Sequence, residues 1–201
     1  NSKEHQAIKN RLVRAQRGLA LKIRDLGFLP EGEIHSRGAD STPYEYGQSS
    51  AYDLEKIMEV AEQASSLDPK YNENLIENFA DEDSAVRYWA AMGLLMREKA
   101  GVDAGRKQLR ESLDDEAAAF RIIAAQALAQ WGNDEDLKLA IPVLLEASPI
   151  DKNDVFTSML ALNAFDAIDG RAASVQDQLA KMPKDGKVPP RMGAYVKNLL
   201  T

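Results

Sequence analysis

The sequence has no cysteine and only two histidines, His5 and His35. The first absence excludes disulfides, thiolate metal sites and a cysteine nucleophile. It leaves the compartment open, since exported and cytosolic proteins alike can lack cysteine. The second leaves the histidines too far apart in sequence to suggest a metal site or a catalytic triad. No apolar run reaches the length of a membrane span or of a signal-peptide core. Phosphate loops and dinucleotide glycine fingerprints are missing, and nowhere do a nucleophile and a base stand together. Glycine and proline gather mainly between Gly27 and Gly47 and near the C-terminus. The long spans between are rich in Ala, Leu, Glu, Lys and Arg, which favours helices.

What is present suits one domain or one short solenoid of 201 residues, with 44% hydrophobic and 28% charged residues, enough to bury a core. A net charge of −7 argues against nucleic acid and against a basic membrane-surface helix as partners, because phosphate neutralisation needs clustered cations. The charge is nevertheless uneven. Lys3, Lys9, Arg11, Arg14, Arg17, Lys22 and Arg24 face only Glu4 and Asp25 in the first 25 residues, a local excess of about +5. The chain opens on Asn1 rather than Met, the expectation for a processed protein or, preferably, an excised domain.

Ile8, Leu12, Ala15, Leu19, Ile23 and Leu26 recur every three or four residues, the period of one amphipathic helix. Gly27 follows where a C-cap glycine would sit. From Gly27 to Gly47 turn residues dominate and no helical period is visible, so a long irregular linker is expected. Helical patterning resumes with Leu54, Ile57, Met58, Ala61 and Ala64 and stops at Asp68-Pro69. The division this suggests is residues 1–52, an N-terminal helix and linker, and residues 53–201, a helical repeat domain.

The repeat itself emerges on sliding the sequence by 34 residues. Leu75, Glu77, Asp81, Glu82, Ala85, Arg87, Ala90, Ala91 and Leu94 then meet identical residues at Leu109, Glu111, Asp115, Glu116, Ala119, Arg121, Ala124, Ala125 and Leu128. Each unit reads as a short helix, an acidic turn and a longer Ala-rich helix. A third, degenerate unit covers Leu137–Glu146 and Val155–Ile168. The tail reads as a last helix, a turn at Pro189-Pro190 and a capping segment. One hairpin cannot bury its own apolar face, whereas stacked hairpins share a core. Ala90, Ala91, Ala124 and Ala125 would let helices approach, with Val86, Trp89, Leu94, Phe120, Ile123 and Leu128 filling the layers between. Asp81 and Asp115 are expected to cap the second helix of each unit, and Arg87 and Arg121 to bond to a neighbouring unit's loop.

The offset equals the tetratricopeptide length, but the Trp-x-x-Leu-Gly-x-x-Tyr opening of that family is missing. An acidic turn, then an apolar residue and Arg, then Ala-Ala and Leu, resembles HEAT or shorter HEAT-like repeats. The fold class expected is therefore all-α, HEAT-like helical hairpins forming an α–α superhelix.

A further resemblance is carried by Arg24-Asp25-Leu26-Gly27-Phe28-Leu29-Pro30-Glu31, Thr42-Pro43-Tyr44-Glu45, Asp53-Leu54-Glu55 and Ala85-Val86-Arg87-Tyr88-Trp89-Ala90-Ala91-Met92-Gly93-Leu94. In this order the strings look like the C-terminal region of certain bacterial sulfatases, where a linker and a helical repeat region follow the catalytic domain. The resemblance covers roughly residues 15–130. It implies a parent that is periplasmic or extracellular and hydrolyses sulfated saccharides or similar esters with a formylglycine and a calcium ion.

The fragment lacks that chemistry. The family's Cys- or Ser-x-Pro-x-Arg nucleophile motif has its nearest counterpart in Ser41-Thr42-Pro43-Tyr44-Glu45, with an acid in place of the Arg. No catalytic residue, metal site or cofactor is assigned to this chain. His35, Arg37, Tyr44 and Tyr46 remain a candidate set, able to meet an anion or sugar through charge-assisted bonds and an aromatic face, or to touch an adjoining domain. Two functions follow: an accessory domain that supports or partly covers an intramolecular sulfatase catalytic domain, or a free-standing scaffold that binds a protein surface.

Overall fold

A computed structural model describes residues 2–186 and 190–200, which form α-helices, short 3-10 turns and no strand. The chain divides into two compact units, residues 1–58 and 59–201.

Unit 1 opens with α1 (Gln6–Ile23), which stops a turn earlier than the glycine signal suggests. Arg24 takes the left-handed conformation (φ 55°, ψ 55°) that closes the helix. Its amide and that of Asp25 return to the carbonyls of Leu21 and Ala20 at 3.3 and 3.1 Å. A side chain in this region costs about 1 kcal/mol or more, which the bonds of Arg24 described below offset. Gly27 sits instead in a 3-10 turn, Leu26–Phe28, capped by the carboxylate of Asp25.

The stretch expected to be irregular carries two short helices, α2 (Glu31–Arg37) and α3 (Pro43–Gln48). Each is under two turns, too short for an apolar period to show. Their ends are nevertheless specified. Thr42 accepts from the Glu45 amide at 3.2 Å and donates its hydroxyl to the Glu45 carboxylate at 2.9 Å, with Pro43 in the first turn, a side-chain N-cap with a preset φ. In α2, Glu31 and Glu33 occupy the first turn and His35 and Arg37 the last, the arrangement that complements the helix dipole.

The second unit begins within α4 (Leu54–Ser66). It continues as the hairpins α5 (Asn72–Glu77) with α6 (Ser84–Met96), α7 (Glu98–Glu111) with α8 (Ala118–Trp131), and α9 (Asp134–Ala147) with α10 (Val155–Ile168). The sequence pattern of a short helix before a longer one holds for α5 and α6. In the second hairpin α7 is broken at Gly105, whose φ −110° and ψ 16° are not helical, so residues 106–111 form a short helix before the longer α8 just as α5 precedes α6. The tail comprises a 3-10 segment, α11 (Gln176–Ala180) and α12 (Pro190–Leu199). Pro189, part of the expected turn, lies outside the described residues.

Within this unit α8 lies between α6 and α10, with α7 and α9 against it. Leu75, Val86, Leu94, Leu109, Ile122, Leu128 and Leu144 are wholly buried. Phe79 meets the Phe120 ring edge-on at 5.3 Å between centroids. The repeated alanines Ala90, Ala91, Ala124 and Ala125 are likewise at 0% exposure, so the helices touch through methyl groups. Trp89 and Trp131 are half-buried rather than fully enclosed. A Cβ added at Gly101 would strike the Leu94 carbonyl, which is why α7 can start directly after α6. Substituting Ala124→Leu is expected to overpack this contact and to lower unfolding stability by about 1–3 kcal/mol. A change of a few tenths in urea denaturation would mean that the site has room the packing does not show.

Candidate functional site

The densest polar arrangement of unit 1 centres on Arg24, which sequence patterns did not single out. Its Nε donates to the carbonyl of Gly47, and its Nη2 to those of Ser49 and Tyr52, each at 2.7 Å. The guanidinium carbon lies 5.4 Å from the centroid of the Tyr52 ring, within cation–π range. Tyr52 is buried and donates its hydroxyl to the Asp25 carbonyl at 2.5 Å. Leu26 rests on Gly47, where a Cβ would come within 3.3 Å of a Leu26 methyl. One cation thus ties the end of α1 to the chain after α3.

Of the four candidate contacts, two come together. Arg37 donates from Nη1 to the Tyr46 hydroxyl and from Nε to Glu33, both at 2.9 Å, and its Nη2 lies 2.6 Å from the same Glu33 oxygen. The Arg37 fork is therefore engaged within its own unit. Tyr46 donates onward to the Ala51 carbonyl and its ring stands 5.7 Å from that of Tyr52. Tyr44 is 73% exposed on α3, and His35 is exposed on α2. The geometry is a brace of Glu33, Arg37, Tyr46 and Tyr52, with Tyr44 and His35 on the surface beside it.

Burial pushes the Tyr52 phenol well above its ordinary range, and the Asp25 and Tyr46 charges add to the shift while Arg24 and Arg37 oppose it. Since the folded pKa is raised, the stabilisation is complete below the unfolded value near 10 and is lost as pH climbs from there toward the folded one. Protection of unit 1 amides is expected to decline above about pH 10, with Tyr52→Phe removing part of that slope. A slope identical in both proteins would disprove the assignment.

In unit 2 the repeated Asp and Arg form a ladder. Asp83, not Asp81, caps α6, accepting from the Ala85 amide at 2.8 Å. Asp81 accepts from the Asp83 amide at 2.9 Å, and Asp115 from that of Ala117 at 2.8 Å. Both aspartates therefore shape the turn two residues before the N-cap of the helix, because the carboxylate reaches the amide two positions on. Arg87 donates to the Asp81 carbonyl of its own turn at 2.8 Å and to the Asp115 carboxylate of the next unit at 2.9 Å. Arg121 repeats the first bond, to the Asp115 carbonyl. Advancing Asp115 by the repeat length reaches Pro149, so no carboxylate occupies that position to continue the ladder.

Two further clusters escaped the sequence reading. Arg97 donates to the carbonyls of Ala64, Gly93, Gln63 and Asp68 at 2.7–3.1 Å, closing the C-terminal end of α4, where a cation suits the dipole. Burial lowers its pKa, with Asp68 opposing. Asp136 has no exposed surface. It accepts from Arg110 Nε at 2.7 Å, from the Asn133 amide at 2.8 Å and from Arg106 Nη1. Asn133 returns the contact by accepting from the Asp136 amide at 2.9 Å, a capping box. The Asn-x-x-Asp spacing was a readable signal for it; its link to α7 was not.

Among the described residues no group of three or more His, Asp or Glu side chains could hold a metal ion, and no helix is long and apolar enough to cross a membrane. These clusters brace helices. Residues 72–163, from the start of α5 into α10, match the family model for HEAT repeats. No curated protein and no solved structure matches the chain. The repeat region of unit 2 is thus HEAT-like, a helical scaffold of the kind that commonly mediates protein interactions.

Proposed function

We propose that this chain is a non-catalytic accessory domain of a sulfatase-family protein, whose repeats support or partly cover the catalytic domain. The reading gives the chain itself no catalytic residue and no cofactor, makes the catalytic domain its intramolecular partner, and places the parent outside the cytoplasm. One observation carries it. The sulfatase-like strings in residues 24–53 occupy the positions that hold unit 1 together: Arg24 clamps the chain from Gly47 to Tyr52, Asp25 caps the turn at Gly27, Leu26 rests on Gly47, and Thr42 with Glu45 starts α3.

The test is the parent gene and its product. Upstream coding sequence is expected to encode an α/β domain with Cys- or Ser-x-Pro-x-Arg, and the full-length protein to hydrolyse an aryl sulfate. A start codon just before Asn1, without such a domain, overturns the reading in favour of a free-standing protein-binding scaffold. In the full-length enzyme Arg37→Ala is expected to lower the melting temperature at unchanged KM, since Glu33 and Tyr46 already occupy the guanidinium. A raised KM at unchanged stability would place Arg37 on the substrate instead.

A further inference from the structure

The apolar stripe of α1 has no cover in its own unit. Ile8, Leu12, Leu19 and Ile23 are 47–59% exposed, and with Ala15 they form a ridge roughly 22 Å long at 1.5 Å per residue. The C-terminal turns of α1 face inward on the other side, where Ala20 is buried, Arg17 pairs with Glu55 at 3.5 Å and Arg24 beyond the helix end holds its three carbonyls. Lys9, Arg11, Arg14, Arg17 and Lys22 are the only charged residues of α1, so a surface that covers its ridge faces cations with no acid of the helix among them. Arg11 and Lys22 border the ridge on one side and Lys9 on the other.

We infer that α1 is a docking helix whose occupant is an acidic amphipathic helix of the parent's catalytic domain. The identity of that domain rests on the function proposed above; the chemistry of the contact does not. The 4-3-4 spacing of Ile8, Leu12, Ala15 and Leu19 is a narrow seam, the kind that packs against another helix. Cations at its borders call for Asp or Glu at the partner's flanking positions.

A second copy does not meet this demand. Pairing α1 with α1 sets like charge against like charge. Among the described residues the other exposed large apolar side chains are Val13, on α1 but off the ridge, and Tyr44, Leu67, Met96, Leu139 and Tyr195, which stand singly on separate segments. The acid-bordered cavity beside Asp166 and Asp169 measures about 330 Å³, room for one or two side chains rather than a ridge. A membrane surface fits less well than a helix. The stripe spans only about 80° at 3.6 residues per turn, and α1 has none of the aromatic residues that interfacial helices use.

The experiment compares hydrogen exchange of residues 8–23 in the full-length parent and in the 201-residue chain. At least tenfold slower exchange in the parent is expected, lost in Leu12→Asp/Leu19→Asp and also in Arg11→Glu/Lys22→Glu, where the apolar ridge stays intact. All four positions are exposed, so the variant chains are expected to keep wild-type circular dichroism. Equal exchange in parent and isolated chain overturns the inference even if the parent cleaves aryl sulfate. Slower exchange in a parent without sulfatase turnover sustains the docking and removes the sulfatase reading. Dimerisation of the isolated chain that the Leu12/Leu19 variant abolishes, or its binding to vesicles containing phosphatidylserine, would assign the ridge to a second copy or to a membrane and equally overturn it.

Discussion

Asp136→Ala is expected to destabilise the repeat unit by about 3 kcal/mol, within the 3–5 kcal/mol usual for removing one partner of a buried charge cluster. The carboxylate is wholly buried, while the Arg106 and Arg110 side chains that meet it keep 26% and 32% of their surface. Water can therefore reach the orphaned guanidinium groups, which holds the loss to the lower end of the range. The Asn133 amide loses its acceptor as well, so the start of α9 and its tie to α7 weaken together. For a unit of this size the melting temperature falls by about 2–4 °C per kcal/mol, or roughly 10 °C in all. Arg110→Ala should cost less, since Asp136 keeps Arg106 and the Asn133 amide. The double variant should then show a coupling of at least about 1 kcal/mol. Additive losses, or a fall below about 1 kcal/mol for Asp136→Ala, would mean that the carboxylate is solvated in the folded state.

The repeats were legible because they answer a packing requirement written into composition. Ala90, Ala91 and Leu94 recur at Ala124, Ala125 and Leu128 since the same helix contact recurs, and a 34-residue shift finds it without any knowledge of partners. The first half of α7 was not legible: the 34-residue repeat accounts only for the short helix after the break at Gly105, and Gly101 before it serves the close approach to the Leu94 carbonyl. Between Gly27 and Gly47 no apolar period is visible, and the sequence predicts an irregular linker there. Short helices are held at their ends, however, and Thr42 followed by Pro43 is an N-cap signal that spelled out one of those ends in sequence. The residues that brace the molecule lay beyond such rules. Arg24 meets carbonyls 23 to 28 positions away, and the guanidinium bonds to Asp136 span 26 and 30 positions. Such pairings depend on how helices pack, which local patterns do not encode.

Arg24→Ala is expected to cost unit 1 about 3 kcal/mol and to melt much of its structure after α1. Charge-assisted hydrogen bonds contribute about 1.5–3 kcal/mol each, and three are lost together with the contact over Tyr52. Arg24 is half-buried, so water replaces part of that sum. What remains is large for a segment whose buried apolar residues are few: Ala20, Leu29, Tyr52, Leu54, Ile57 and Met58. The readout is amide exchange over residues 33–48, expected to rise at least tenfold, in keeping with about 1.4 kcal/mol per decade. Two companion variants separate the causes. Lys at position 24 keeps the charge but not the planar fork, and reaches one or two of the three carbonyls. Gly at the same position adopts the left-handed conformation without strain, recovering about 1 kcal/mol of backbone energy, yet it has no donor at all. If the fork is what holds the chain from Gly47 to Tyr52, Arg24→Gly exchanges far faster than wild type despite its easier backbone. If Arg24→Gly matches wild type, helix termination alone organises unit 1 and the three carbonyl bonds contribute nothing.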